Sequence, residues 1–287
     1  MPTPTWSQLV LGNELKRMRD ELHLTLAEAV SPLLDFTSNK LSRLERGQSS
    51  VRASDVAQLL DRYSASEGDR VWALETAKHC KQRGRWSGYR SAYVKHFRMA
   101  VDLEADATTI RQYQVEMVPG LLQAEAYMRA LFADSVPRDV DDRIEDAVKA
   151  KLARQVVLTK DDAPQMHFVL SESALLRMAG SPEIMREQLG HLARLAKLPT
   201  VHIQVLPFRA RTQPGEVASS FTTFRIESPG KSGPLEFVYL EDVHDGRYLD
   251  DHDSIEAYSS LWARLTGAAL DPVESRNLLL RMAAEYV

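Results

Sequence analysis

Apolar residues recur at helical spacing near the start of the chain. Leu11, Leu15, Met18 and Leu22 fall three to four residues apart, while Glu14, Lys16, Arg17 and Asp20 take the other side. This spacing predicts an amphipathic first helix between Leu9 and Leu22. Thr25, followed three residues later by Glu28, predicts a capping box that opens a second helix at "LAEAV". Ser31 and Pro32 interrupt it, because proline lacks a backbone donor and disfavours helical geometry in the residue before it. The second helix therefore kinks, or gives way to a short new turn at Pro32. Thr37 is expected to cap a third helix, Ser38 to Arg46, with Leu41 and Leu44 inward and Gly47 as its stop. Ser54 is expected to cap a fourth helix with Val56, Leu59, Leu60 and Tyr63 on its inner face, and a fifth runs from Glu67 to about Arg83.

Beyond this helical stretch the period changes. Ile110 to Val118 partly alternates, "PG" breaks the chain before a helix from Leu121 to Phe132, and Asp139 to Leu158 reads as a long amphipathic helix. "QMHFVLS" and "TVHIQVLPF" read as strands, with helices at Glu172–Met178 and Pro182–Leu198 between them. "SSFTTFRI" and "LEFVYLE" alternate around "ESPGKSGP" as a hairpin. Helices from Asp253 to Thr266, with Asp253 as cap, and from Asp271 to Val287 close the chain; Asp271, Pro272 and Glu274 form a helix-start signature. The pattern predicts a mainly α N-terminal domain (1–66), a basic and aromatic helical linker (67–100) and a larger α+β C-terminal domain (101–287) with a modest sheet.

Composition narrows the function. The chain has 287 residues, 44% hydrophobic and 26% charged, a globular profile with room for two cores. No apolar run approaches a membrane span and no signal-peptide core opens the sequence, so a cytoplasmic location is expected. Cys80 is the only cysteine, which excludes an internal disulfide and a thiolate metal cage and suits a small buried hydrophobe. The net charge of −4 gives no general attraction to nucleic acid, so any such affinity depends on where cations are placed. They are concentrated between Glu75 and Asp102, where Lys78, Lys81, Arg83, Arg85, Arg90, Lys95 and Arg98 occur without a carboxylate.

Two stretches, "LKRMRDELHLTLAEA" and "NKLSRLERGQ", resemble the Xre helix-turn-helix domain of the Cro and phage-repressor type. The remainder resembles the C-terminal module of the WhiJ-like regulators of actinomycetes. The segments that carry this second likeness are "VPGLLQAEAY", "VLSESALLRMAGSPEIMREQLGHL", "VHIQVLPF" and "FVYLEDVHDGRYLD". The first resemblance implies a lambda-repressor-like fold whose third helix faces base edges through Ser38, Asn39, Ser42 and Arg43. The chemistry of these side chains agrees: arginine can donate two hydrogen bonds to guanine, and asparagine can donate and accept at adenine. Thr37, Lys40 and Arg52 are expected on phosphates, which set register without reading sequence. Arg83 and Arg85 are expected to add phosphate contacts. The resemblance also pairs Arg19 with Glu45 in a largely buried ion pair.

The chain departs from the family in two ways. Leu26 stands where many members have a phosphate-bracing glutamine, and the turn before the third helix is one residue longer. Met1 to Tyr63 holds eight Lys/Arg and eight Asp/Glu, so affinity per monomer is expected to be modest. A homodimer would present two recognition helices to half-sites about 34 Å apart.

The resemblance implies double-stranded operator DNA as partner, together with a small protein encoded by an adjacent gene in a toxin–antitoxin-like pair. The alternative is an interaction adaptor with a residual helix-turn-helix; ligand sensing by the larger domain is a third reading. No enzymatic activity or cofactor is expected.

Four other features carry residue types with chemical potential. Trp86, Tyr89, Tyr93 and Phe97, interleaved with cations, suit core packing on one helical face, phosphate contact by the basic side, or a single-strand stacking platform. "PGKSG" lacks the glycine that a phosphate loop needs five residues earlier, where Arg225 stands, and hairpin strands flank it. "EDVHDGRYLDDHDSIE" is rich in metal-ligand types but has no recognised ligand spacing, and Ser171, Glu172 and Ser173 lack a glycine-flanked nucleophile.

Overall fold

In a computed structural model of the protein, residues 6–33, 36–80, 93–135, 141–212, 219–228, 230–242 and 244–286 are described. The chain divides into two compact units. One comprises Met1–Gly88, Arg98–Asp106 and Ile226–Leu235, and the other Tyr89–Phe97, Ala107–Arg225 and Glu236–Val287.

The first unit is helical. Its helices are α1 (Trp6–Glu21), α2 (Leu26–Val30), α3 (Ser38–Glu45), α4 (Ala53–Arg62), α5 (Glu67–His79) and α6 (Arg98–Asp106). Leu11, Leu15 and Met18 of α1 meet Leu41 and Leu44 of α3 and Val56, Leu59 and Leu60 of α4 in one buried cluster. Leu22, expected on this inner face, is 45% exposed, because α1 ends at Glu21 and His23 turns the chain with φ 54°. Thr25 and Glu28 form the capping box, with each side chain bonded to the other's backbone N–H. Pro32 does not kink α2. The helix stops at Val30, and the Leu33 N–H bonds back to the Val30 carbonyl at 2.8 Å.

Three local expectations change. Arg52, and not Ser54, occupies the N-cap position of α4, without a side-chain cap bond. Within the span expected as a linker, Ala73, Ala77 and Cys80 belong to the first unit's core, and α5 packs on α1 and α4. Burial pushes the Cys80 thiol up to about 12, which fits a packed hydrophobe. "PGKSG" contributes to this unit as well. Glu14, only 1% exposed, accepts the Ser232 N–H at 2.9 Å, and Lys231 pairs with Asp69 at 2.8 Å. The lysine of the apparent phosphate loop is thus engaged with a carboxylate.

The second unit is an α+β domain with one six-stranded sheet of order β3-β2-β1-β4-β5-β6. The strands are β1 (Thr109–Gln114), β2 (Gln165–Ser171), β3 (Val201–Leu206), β4 (Phe221–Ile226), β5 (Leu235–Glu241) and β6 (Gly246–Leu249). The pairs β1–β2 and β2–β3 are parallel, while β1–β4 and β5–β6 are antiparallel. Parallel neighbours need crossovers. These are α7 (Glu125–Ser135) and α8 (Asp141–Arg154) before β2, then α9 (Glu172–Leu176) and α10 (Pro182–Leu195) before β3. The final helices are α11 (His252–Ala268) and α12 (Pro272–Glu285). Trp262 and Leu265 of α11 pack on Tyr113, Val169, Phe221 and Val238 of the sheet.

Several boundaries move relative to the sequence pattern. A 3-10 turn, Gly120–Leu122, precedes α7 where one helix was expected from Leu121, and another, Gln155–Leu158, follows α8. Strand β6 was not anticipated. Asp251, not Asp253, caps α11 by accepting the Ser254 N–H. Between β5 and β6, Asp242 accepts the N–H groups of His244 and Asp245.

"VPGLLQAEAY", which carries much of the likeness, is a packing hub. Fully buried Gln188 accepts the Ala124 N–H at 2.7 Å and donates to the Leu122 carbonyl at 2.8 Å. Gln123 donates to the Val118 carbonyl and accepts from Lys151, and Gln155 donates to the Gly120 and Gln123 carbonyls. A Cβ at Gly120 would lie 2.7 Å from an Arg154 nitrogen. These side chains satisfy a buried, non-helical stretch of backbone whose polar groups would otherwise be unpaired.

Candidate nucleic-acid interface

Helix α3 has two chemically distinct sides. Leu41 and Leu44 are buried in the first unit's core, while Asn39, Arg43 and Arg46 are exposed. The exposed residues fall at spacings of four and three, so they share a face. Thr37 accepts the Lys40 N–H at 3.1 Å and so fixes the start of the helix. Its hydroxyl serves as the cap, and the residue is exposed at the helix end where backbone N–H groups favour an anion. Ser38 and Ser42 are half-buried at the edge of this face.

The charges around α3 are arranged unequally. Arg19 forks onto Glu45, Nε to Oε1 at 2.7 Å and Nη2 to Oε2 at 3.0 Å, and also donates to the Leu24 carbonyl. The arginine and glutamate side chains are 11% and 6% exposed. This pair neutralises the only carboxylate of α3 and fastens α1 to α3. Glu45 raises the Arg19 pKa further, so the guanidinium stays charged.

Lys40 has a different position from the one its sequence suggested. Its Nζ pairs with Asp55 at 2.9 Å and sits 4.3 Å from the centroid of the Phe36 ring. It is therefore committed within the fold. Arg43 donates to the Gln48 carbonyl at 3.2 Å, and Arg46 Nε donates to the Ser42 carbonyl at 3.2 Å. Neither has a carboxylate partner among the described residues, nor does the exposed Arg52 at the start of α4. Arg43, Arg46 and Arg52 thus carry the available positive charge, with Asn39 beside them. Arg46 was legible in the sequence as the residue three beyond Arg43. The role of Asp55 was not, because it lies fifteen residues from Lys40 on another helix.

Arg83 and Arg85, expected on phosphates, lie outside the described residues, as do Trp86 and Tyr89. Tyr93 and Phe97 pack within the second unit. The Tyr93 hydroxyl donates to the Ala150 carbonyl at 2.8 Å, the two rings lie 6.0 Å apart, and Phe97 meets Tyr239 at 5.9 Å. Between Tyr93 and Phe97 the described backbone forms a 3-10 turn at Lys95–Phe97, so the two rings do not share one α-helical face. Among the described residues, no group of three or more His, Cys, Asp or Glu is placed to hold a metal ion. No described helix is long and apolar enough to cross a membrane.

Comparison with known families gives a match in each part of the chain. A helix-turn-helix domain matches residues 10–73, which supports a DNA-binding regulator. No curated protein and no solved structure matches the chain. The family described as "Domain of unknown function (DUF5753)" matches residues 97–281, most of the chain, and the protein belongs to that family.

Proposed function

We propose that the protein is a sequence-specific transcriptional regulator of the Xre type, similar to the WhiJ-like regulators of actinomycetes. It places α3 in the major groove of operator DNA. The observation that carries this reading is the outer face of α3, where Asn39, Arg43 and Arg46 are exposed while Glu45 is neutralised by Arg19. Asn39 and Arg43 read bases, with Ser38 and Ser42 beside them; Thr37, Arg46 and Arg52 hold phosphates. The near balance of charge in the N-terminal segment favours action as a homodimer, in which two such faces combine. The C-terminal domain receives the signal, with a small protein encoded by an adjacent gene as its partner in a toxin–antitoxin-like pair. In this reading the chain performs no catalysis and works in the cytoplasm.

The test is a titration of the DNA beside the protein's own gene against random DNA at two salt concentrations. Arg43→Ala and Asn39→Ala each remove about 1–3 kcal/mol of base discrimination at particular positions. Arg52→Ala weakens all sequences alike and lowers the salt slope by about one. A specific-to-random ratio near one for the wild-type protein favours the adaptor reading instead.

A further inference from the structure

Four strands of the C-terminal sheet carry polar side chains in one row. His202 on β3 faces His167 on β2, His167 faces Arg111 on β1, and Arg111 faces Thr223 on β4. Residues paired across a ladder project to the same side of a sheet. Two residues along the strands from Arg111 and Thr223, Tyr113 and Phe221 lie under Trp262 of α11. The apolar cover therefore gives way to the polar row on one face. The imidazoles of His167 and His202 stack with centroids 4.5 Å apart.

Beside Arg111 lies a cavity of about 350 Å³ whose lining includes Thr109, Arg111, Thr223, Arg225, Glu236 and Ser259. Its two arginines differ. Arg225 pairs with Glu236 at 3.0 Å. The Arg111 side chain is half-buried and has neither a hydrogen bond nor an ion pair with any described residue. A guanidinium presents five donors in a fixed fork, and partial burial removes some of the water that would otherwise satisfy them. Burial first, and then the charges of His202 and Arg111, hold the His167 imidazole below its usual range. A half-buried guanidinium with free donors beside a cavity suits an anionic group.

We propose that this cavity binds a small oxyanion, the phosphate or carboxylate group of an effector, with the Arg111 fork as its principal contact. Thr109, Thr223 and Ser259, each with a hydroxyl, line the same space. The volume accommodates a small metabolite and not a polymer. This site stands apart from the DNA-binding reading, and either can fail without the other.

The test uses the full-length protein, titrated calorimetrically with inorganic phosphate, citrate and, as a neutral control, glycerol, while the imidazole signals of His167 and His202 are followed by NMR. Saturable binding of phosphate or citrate, but not glycerol, is expected, with both imidazoles shifting. Phosphate alone marks a phosphoryl effector and citrate alone a carboxylate. Arg111→Gln weakens binding about tenfold or more, as loss of a charge-assisted hydrogen bond requires. Arg111→Lys retains an intermediate affinity, and Arg281→Gln on α12 leaves binding unchanged. If Arg111→Gln does not fold, Arg111→Lys and Thr223→Val decide, since both are expected to weaken binding. Binding that never saturates, or is equal in wild type and the Arg111 variants, overturns the proposal. So does saturable Zn²⁺ binding lost in His167→Asn when neither anion binds.

Discussion

Lys40 Nζ lies 2.9 Å from Asp55 Oδ1, and the two side chains are 34% and 10% exposed. A cation on α3 is thereby held by a carboxylate of α4. Lys40 cannot reach a phosphate without leaving Asp55 buried and unpaired, which is costly.

Asp55→Asn should therefore release Lys40 to the nucleic acid. Binding to random DNA is expected to tighten, and the dependence of affinity on salt to steepen by about one ion. Lys40→Ala should weaken DNA binding little but cost on the order of 1–2 kcal/mol of stability, a value reduced for the partial exposure of the pair. Salt titrations and urea unfolding of both variants measure this. An unchanged salt slope in Asp55→Asn would show that Lys40 already contacts phosphate.

Gly12 in the middle of α1 faces the backbone of α3. A Cβ added there would lie 2.4 Å from the Glu45 carbonyl oxygen and 2.6 Å from that of Leu44. Although alanine favours helices over glycine by about 1 kcal/mol, the clash is with backbone and cannot be relieved by a rotamer change. Gly12→Ala is expected to destabilise the N-terminal unit by about 2 kcal/mol or more and to loosen specific DNA binding. A thermal midpoint at or above wild type would contradict this contact.

Lys151 supplies the pH dependence. Burial, followed by the charge of Arg154, pushes its ammonium down to about 8 from 10.5. Between these values the unfolded chain holds a proton that the folded chain has released, so folding stability contributed by this group rises with pH through the window. Below the lower value both states are protonated and the destabilisation is fully present. Lys151→Met removes the titration. Relative to that variant, wild type should gain stability between about pH 8 and about pH 10 in urea unfolding, and a flat difference would refute the shift.

Much of the N-terminal unit was legible in its residues. The Thr25–Glu28 box, the Thr37 cap and the inward Leu41 and Leu44 arise from interactions within a few positions of one another, which sequence spacing reports directly. Two of the misplacements, Ser54 and Asp253 as caps, are shifts of two residues at helix starts, where several polar residues compete for one role. Strand β6 escaped because Gly246–Leu249 is short and polar, and its partner Glu241–Val238 lies across a turn held by Asp242.

The sequence by itself determined the helical N-terminal segment, the α+β character of the rest, and the face of α3 that carries Asn39 and Arg43. Those properties follow from periodicity and from the chemistry of single side chains. Only the tertiary structure decided which cations remain available. Lys40 and Lys231 are taken by Asp55 and Asp69, whereas Arg43, Arg46, Arg52 and Arg111 have no carboxylate partner among the described residues. The physical reason is that a charge is neutralised by whatever packs within a few ångströms of it. For Lys40 and Lys231 those partners lie on other elements, so local spacing could not report them.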